Sequence, residues 1–218
     1  MKIETHTADD LGPALARRVA DDLRAALDTR QRASLAVPGG TTPAPFLRAL
    51  GAEALDWSRV SVTLTDERQV PLGHPRSNRS LVTQHLLQGR AGVASFVPLL
   101  GDDAEAAVAA LLPLDVCVLG MGNDMHTASL FPGTPGLADL LDPAAARCVA
   151  DVRPPGADEP RVTLTARALG SAARTYLLIT GADKRAALKR AMVQEDRAAA
   201  PIRAILDAAR APLVFHAD

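Results

Sequence analysis

The stretch Val116-Cys117-Val118-Leu119-Gly120-Met121-Gly122-Asn123-Asp124-Met125-His126 decides how this chain folds. Four apolar residues read as a strand, and the glycines after them break it into a loop that carries a carboxylate and an imidazole. Strand ends are where ligands bind in α/β proteins, so a histidine held there is better placed to react than to pack. Asp124 and His126 stand two apart, so either can orient the other, or both can meet a bound water.

The neighbouring segments extend this pattern in both directions. Residues 33–37 form another short apolar strand, ended by Pro38-Gly39-Gly40. Residues 8–28 place Leu11, Leu15, Val19, Leu23 and Leu27 at four-residue steps among charged residues, which predicts an amphipathic helix. Thr41-Thr42-Pro43 opens the next helix, with a threonine available as cap and proline suited to the first turn. Further strands are expected over 60–65, 95–99, 147–152, 161–164, 176–180 and 213–215, beside the opening strand taken over 115–119. Helices are expected over 77–87, 103–112, 183–193 and 201–209, with a short helical stretch after the His126 loop. Strand and helix in alternation predict an α/β fold: a doubly wound, mostly parallel sheet with helices on both faces. Arg153-Pro154-Pro155-Gly156 reads as a loop and not a linker, so residues 1–218 form a single domain on this reading.

Composition narrows the function. At 218 residues the chain can bury one sizeable core, and 48% hydrophobic against 22% charged residues is the balance of a soluble globular protein. Aromatic residues make up only 3%, which leaves an aliphatic core and little surface for stacking bases. A net charge of −1 provides no basic footprint, so no nucleic-acid partner is expected. No apolar run approaches the ~18 residues of a membrane span, and the N-terminus lacks the apolar centre of a signal peptide, which predicts a cytoplasmic protein with no membrane contact. Cys117 and Cys148 lie in apolar stretches and read as buried thiols, with no Cys-x-x-Cys spacing.

Three further segments carry chemistry. In Pro38-Gly39-Gly40-Thr41-Thr42-Pro43, glycines leaving a strand let backbone approach an anion, the helix start offers free N–H groups, and the threonines add hydroxyl donors. The same pattern would serve as a plain tight turn. It is neither a Walker loop nor a dinucleotide fingerprint. Thr65-Asp66-Glu67-Arg68, running on to Ser77-Asn78, places carboxylates and a guanidinium at the same sheet edge; Asn78 either donates to a sugar hydroxyl or sits in the first turn of a helix capped by Ser77. Arg161 opens a strand, and Lys184 stands in the first turn of a helix, where the dipole disfavours a cation. His6, His74, His85 and His216 have no comparable setting, and no His-x-x-x-His or Cys/His cluster marks a metal site.

Together these segments resemble the 6-phosphogluconolactonase family, within the wider glucosamine-6-phosphate isomerase/lactonase superfamily. The matching pieces run in family order from about residue 35 to 190, and the most specific is Leu119-Gly120-Met121-Gly122-Asn123-Asp124-Met125-His126-Thr127-Ala128-Ser129-Leu130-Phe131-Pro132-Gly133. The chain departs from the family pattern at Pro38, where a serine is frequent, and at Met125, where glycine is common; an ordinary backbone conformation is expected at Met125. The resemblance implies hydrolysis of 6-phospho-D-glucono-1,5-lactone without metal or cofactor, with His126 as general base and Asp124 orienting it or its water. It also implies a phosphate held by Gly39, Gly40, Thr41, Thr42, Arg161 and Lys184, and a sugar lined by Asp66, Arg68 and Asn78. The protein would then be a monomer or small homo-oligomer that meets only a small phosphorylated sugar lactone. Two rivals remain: an amino-sugar-phosphate deaminase/isomerase, in which Ala-Phe-Asn-Glu is typical where this chain has Ala128-Ser129-Leu130-Phe131, and a non-catalytic sugar-phosphate sensor, for which no helix-turn-helix precedes the first strand at residue 35.

Overall fold

Ten strands and eight α-helices follow one another along residues 2–217, the part of the chain that the computed structural model describes. The strands are β1 (Lys2–His6), β2 (Ala33–Val37), β3 (Val60–Leu64), β4 (Asp66–Arg68), β5 (Ser95–Val97), β6 (Val116–Leu119), β7 (Val149–Val152), β8 (Arg161–Leu164), β9 (Arg174–Thr180) and β10 (Leu213–Ala217). The helices are α1 (Ala8–Arg30), α2 (Ala44–Ala52), α3 (Asn78–His85), α4 (Ala104–Ala109), α5 (Leu137–Leu140), α6 (Ala166–Leu169), α7 (Ala182–Val193) and α8 (Pro201–Ala208).

Seven strands make a sheet in the order β1-β10-β9-β6-β2-β3-β5, and every pairing in it is parallel. From β1 the chain steps through β2 and β3 to β5 in one direction, then returns through β6 and β9 to β10 in the other. Right-handed crossovers place the two sets of connections on opposite faces, so the sheet is doubly wound as the alternation predicts. The direction reverses between neighbours β2 and β6, which is where such sheets leave a crevice beyond their strand ends.

Strands β7 and β8 depart from the expectation. They do not join the large sheet but pair antiparallel with β4 in a separate order, β4-β8-β7. Thr65 links the two sheets: its N–H donates to Val37 O at 2.9 Å and its C=O accepts from Leu164 N at 2.9 Å. Two strands escaped the sequence pattern, β1 because it alternates polar residues at a sheet edge, and β4 because it is three charged residues long.

The core is aliphatic. Leu11, Leu15, Val19, Leu23 and Leu27 of α1 are all buried, each fully buried one stabilising by about 2 kcal/mol. Thr7 caps this helix, its hydroxyl accepting from Asp10 N. Helix α2 starts differently from expectation: Pro43 occupies the cap position, no side chain caps the helix, and neither Thr41 nor Thr42 does so. Proline serves in the first turn as Pro45, which has no N–H to leave unpaired. Both cysteines are free and buried, and burial pushes the Cys117 thiol up to about 12.

Candidate active site

A cleft of about 320 Å³ opens beyond the ends of β2 and β6, at the reversal point of the sheet. Its wall includes ten of the eleven expected site residues: Gly39, Gly40, Thr41, Thr42, Asp66, Arg68, Asn78, His126, Arg161 and Lys184. Asp124 is the exception and meets the cleft only through its bond to His126. Their convergence has a simple origin. Loops after parallel strands all leave from the same sheet edge, and β4 and β8 of the small sheet close the remaining side.

His126 is fixed on two sides. Its Nδ1 lies 2.5 Å from Asp124 Oδ1, and its ring stacks on Phe131 with centroids 3.7 Å apart. The carboxylate requires the proton on Nδ1, which leaves the Nε2 lone pair open. Burial is the largest influence on the imidazole and holds its pKa below the ordinary value, against the opposing pull of Asp124. The ring is therefore neutral at neutral pH and able to accept a proton.

The loop around His126 is tied down by α7 and the start of α8. Lys184 Nζ donates to Met121 O at 2.7 Å, Arg190 Nη2 to Asn123 O at 2.9 Å, and Ile202 N to Met125 O at 3.1 Å. Met125 corrects an expectation: its φ is +67°, in the left-handed region, not an ordinary conformation. The turn closed by Met125 N to Gly122 O keeps the geometry that glycine would adopt freely, at a cost of about 1 kcal/mol for methionine. Its side chain packs against the core, which offsets part of that cost.

The wall that β4 and β8 contribute is cationic. Arg68 on β4 and Arg161 on β8 are direct partners across the antiparallel pair, an arrangement that is unfavourable for like charges. Burial, and next Arg68, push the Arg161 guanidinium below its usual range, and the Nε atoms of both arginines are buried without a hydrogen-bond partner. Asp66 offsets them in part, with Oδ2 3.9 Å from Arg161 Nη1. Desolvation raises the pKa of this buried carboxyl, and Ser129 Oγ donates to it at 2.6 Å. Asn78 is buried in the first turn of α3, and its amide donates to Asp66 O at 2.8 Å, so that donor braces the wall.

At the first loop, Gly39 is required by a close approach, because a Cβ there would lie 1.9 Å from Asn78 Oδ1. Gly40 has φ +94° and faces open space. Thr41 and Thr42 are exposed beside it, next to the uncapped start of α2. Lys184 reaches the cleft from the first turn of α7.

Three residues shape the cleft although the sequence alone assigns them no role there. Gly122 is needed because a Cβ would meet Asp124 Oδ1 and His126 Nδ1 at 2.2 Å. Its position inside Gly-Met-Gly-Asn-Asp was the available signal. Glu67 is buried and accepts from Arg68 N, Asn78 N and Arg79 N at 2.7 Å and from Ser77 Oγ at 3.0 Å, anchoring α3. Arg190 carried no signal at all. The other histidines lie away from the cleft: His6 stacks on Phe215, His74 accepts from Arg76 N, His85 lies beside Arg48, and His216 is buried. Among the described residues no group of three or more His, Cys, Asp or Glu side chains converges on a metal position, and no helix is long and apolar enough to cross a membrane.

Comparison with known proteins gives a consistent answer. A 6-phosphogluconolactonase of Mesorhizobium japonicum is 50% identical over 95% of this chain and 91% of its own length. One from Pseudomonas aeruginosa is 44% identical over 96% of this chain and 91% of its own. The crystal structure of a 6-phosphogluconolactonase from Shewanella baltica superposes with a TM-score of 0.93 at 35% identity, covering 100% of this chain and 98% of that one. The 6-phosphogluconolactonase of Trypanosoma brucei shares the fold, with a TM-score of 0.81 at 23% identity over 99% of this chain and 95% of that one. The family model for glucosamine-6-phosphate isomerases/6-phosphogluconolactonase matches residues 6–214, and the chain belongs to that family.

Proposed function

We propose that this protein hydrolyses 6-phospho-D-glucono-1,5-lactone to 6-phospho-D-gluconate, the second step of the oxidative pentose phosphate pathway. The observation that carries the reading is His126: a neutral imidazole with Nδ1 committed to Asp124, lining the same cleft as the incompletely neutralised Arg68 and Arg161. Water attacks the lactone carbonyl carbon while Nε2 takes its proton, help typically worth ~10²–10⁴-fold. The tetrahedral intermediate then expels the ring oxygen, the imidazolium returns the proton to it, and the acid ionises. Arg161, Lys184 and the Gly39–Thr42 loop hold the phosphate. Asp66, Arg68 and Asn78 shape the sugar side. Fixing the phosphate away from the carbonyl presents one lactone face to the base, so binding is used for orientation.

The names of the relatives favour the lactonase over the deaminase within the family. Residues 1–218 act as one unit on this reading, in the cytoplasm, as a monomer or small homo-oligomer. The test is lactone opening above the spontaneous rate, coupled to 6-phosphogluconate oxidation, in wild type and His126→Ala. Turnover lost in the variant with lactone binding retained is expected. A variant as fast as wild type would remove His126 as base, and ammonia release from glucosamine-6-phosphate by the wild type would favour the deaminase.

A further inference from the structure

Phe131 touches both ends of the proposed reaction without lining the cleft. Its ring stacks on the His126 imidazole with planes 16° apart, and the Arg161 guanidinium carbon lies 5.5 Å from the same ring centroid. The two groups it touches belong to different sheets: His126 follows β6 of the large one, and Arg161 opens β8 of the small one. The backbone beside Phe131 is held by Leu130 N to Thr127 O at 3.0 Å and Thr134 N to Phe131 O at 3.1 Å, and Leu130 is fully buried. The backbone that carries the ring is thus fixed, and the ring stands between the two groups.

We propose that Phe131 is a positioning residue whose ring sets the distance between His126 and Arg161, fitting the cleft to a lactone whose charged end lies that far from its carbonyl. The inference rests on reading His126 as base and Arg161 as the phosphate-side cation. An aromatic face attracts a guanidinium electrostatically and stacks on an imidazole, two contacts that an aliphatic side chain of similar bulk cannot make. The ring also covers the imidazole against water, in keeping with burial as the largest influence on His126; the charges facing that imidazole are Asp124 from its own loop, Asp66 from β4 and Lys184 from α7.

The test compares Phe131→Leu and Phe131→Tyr by two readouts, NMR titration of the His126 imidazole and steady-state kinetics. The kinetics use the phosphorylated lactone and unphosphorylated glucono-1,5-lactone. In Phe131→Leu the titration midpoint should rise, kcat should fall roughly tenfold and KM for the phosphorylated lactone should rise roughly fivefold, the scale of one lost stacking or cation–π contact. KM for the unphosphorylated lactone should not move, because that substrate has no charged end for Arg161. Phe131→Tyr, which keeps the ring, should restore both constants and the midpoint. A Phe131→Leu enzyme that loses kcat alone, with the midpoint and KM unmoved, overturns the proposal, since a merely structural role predicts that pattern. Wild-type turnover with unchanged Phe131→Leu kinetics also overturns it and leaves the lactonase reading intact, whereas no wild-type turnover overturns both.

Discussion

Replacing Gly122 by alanine should abolish most turnover while leaving the fold nearly as stable as before. An ideal Cβ at this position would lie 2.2 Å from both Asp124 Oδ1 and His126 Nδ1, and 2.3 Å from His126 Cε1. Comfortable contact needs about 3.5 Å, so each group must retreat by more than an ångström. The 2.5 Å pairing of imidazole and carboxylate cannot survive a methyl group that collides with both. A hydrogen bond to a charged group contributes about 1.5–3 kcal/mol, or roughly 10- to 100-fold in rate. Displacing the base by an ångström can remove another ~10²-fold. The combined loss in kcat/KM should be on the order of 10³-fold or more. Stability should hardly change. The collisions fall on the tips of one exposed and one half-buried side chain, and Gly122 is not among the residues with positive φ, so alanine adds no backbone strain. A melting temperature within about 3 °C of wild type is expected for a chain of this size. The assay is coupled lactone hydrolysis with the spontaneous rate subtracted, alongside thermal unfolding of the same preparation. A Gly122→Ala enzyme keeping more than a tenth of wild-type kcat/KM would refute the argument that the Asp124–His126 pair sets the rate.

Other outcomes follow from the same geometry. Burial holds the His126 imidazole below its ordinary value of 6.5, and the proposed base would work only when neutral, so kcat/KM should rise with pH along an acid limb centred below 6.5 and stay level through neutrality; a limb centred above 6.5 would contradict this. Met125→Gly should keep kcat within about threefold, because glycine adopts the existing left-handed backbone readily, and a tenfold loss would show that the methionine side chain matters more than the turn. Arg161→Ala and Lys184→Ala should each raise KM by roughly tenfold or more, the scale of a charged hydrogen bond, with smaller effects on kcat; an unchanged KM in both would remove these cations from phosphate binding.

Much of this arrangement was legible in the chain because it depends on local patterns. Strand β2 falls on the apolar run that predicts it, β8 on its expected residues 161–164, and α1 shows its periodicity openly. The cleft was legible because strand ends in a parallel sheet share an edge, so placing each motif after a strand already brought the motifs together. What stayed hidden depends on distant partners. β1 is polar, and pairing with β10 from the other end of the chain makes it a strand. The division into two sheets depends on Thr65 turning from β2 toward β8, which no periodicity encodes. Met125 took a strained conformation because contacts from Gly122, Ile202 and the core over-determine it. Arg190 acts through a backbone carbonyl, and backbone partners leave no trace in side-chain patterns.

Strand β4 has a consequence for how this family can vary. Successive side chains on a strand point to opposite faces, and here the division is strict: Asp66 and Arg68 face the cleft, while Glu67 turns away to take the donors at the start of α3. A single-residue insertion or deletion upstream would exchange those roles, sending Glu67 into the cleft and leaving the helix donors unanswered. Loop lengthening can be absorbed at the exposed turns around Gly73 and Gly156, but the join from β3 into β4 cannot change by one residue and still serve both duties. The spacing of this short, charged segment is therefore a fixed frame against which the rest of the cleft can drift.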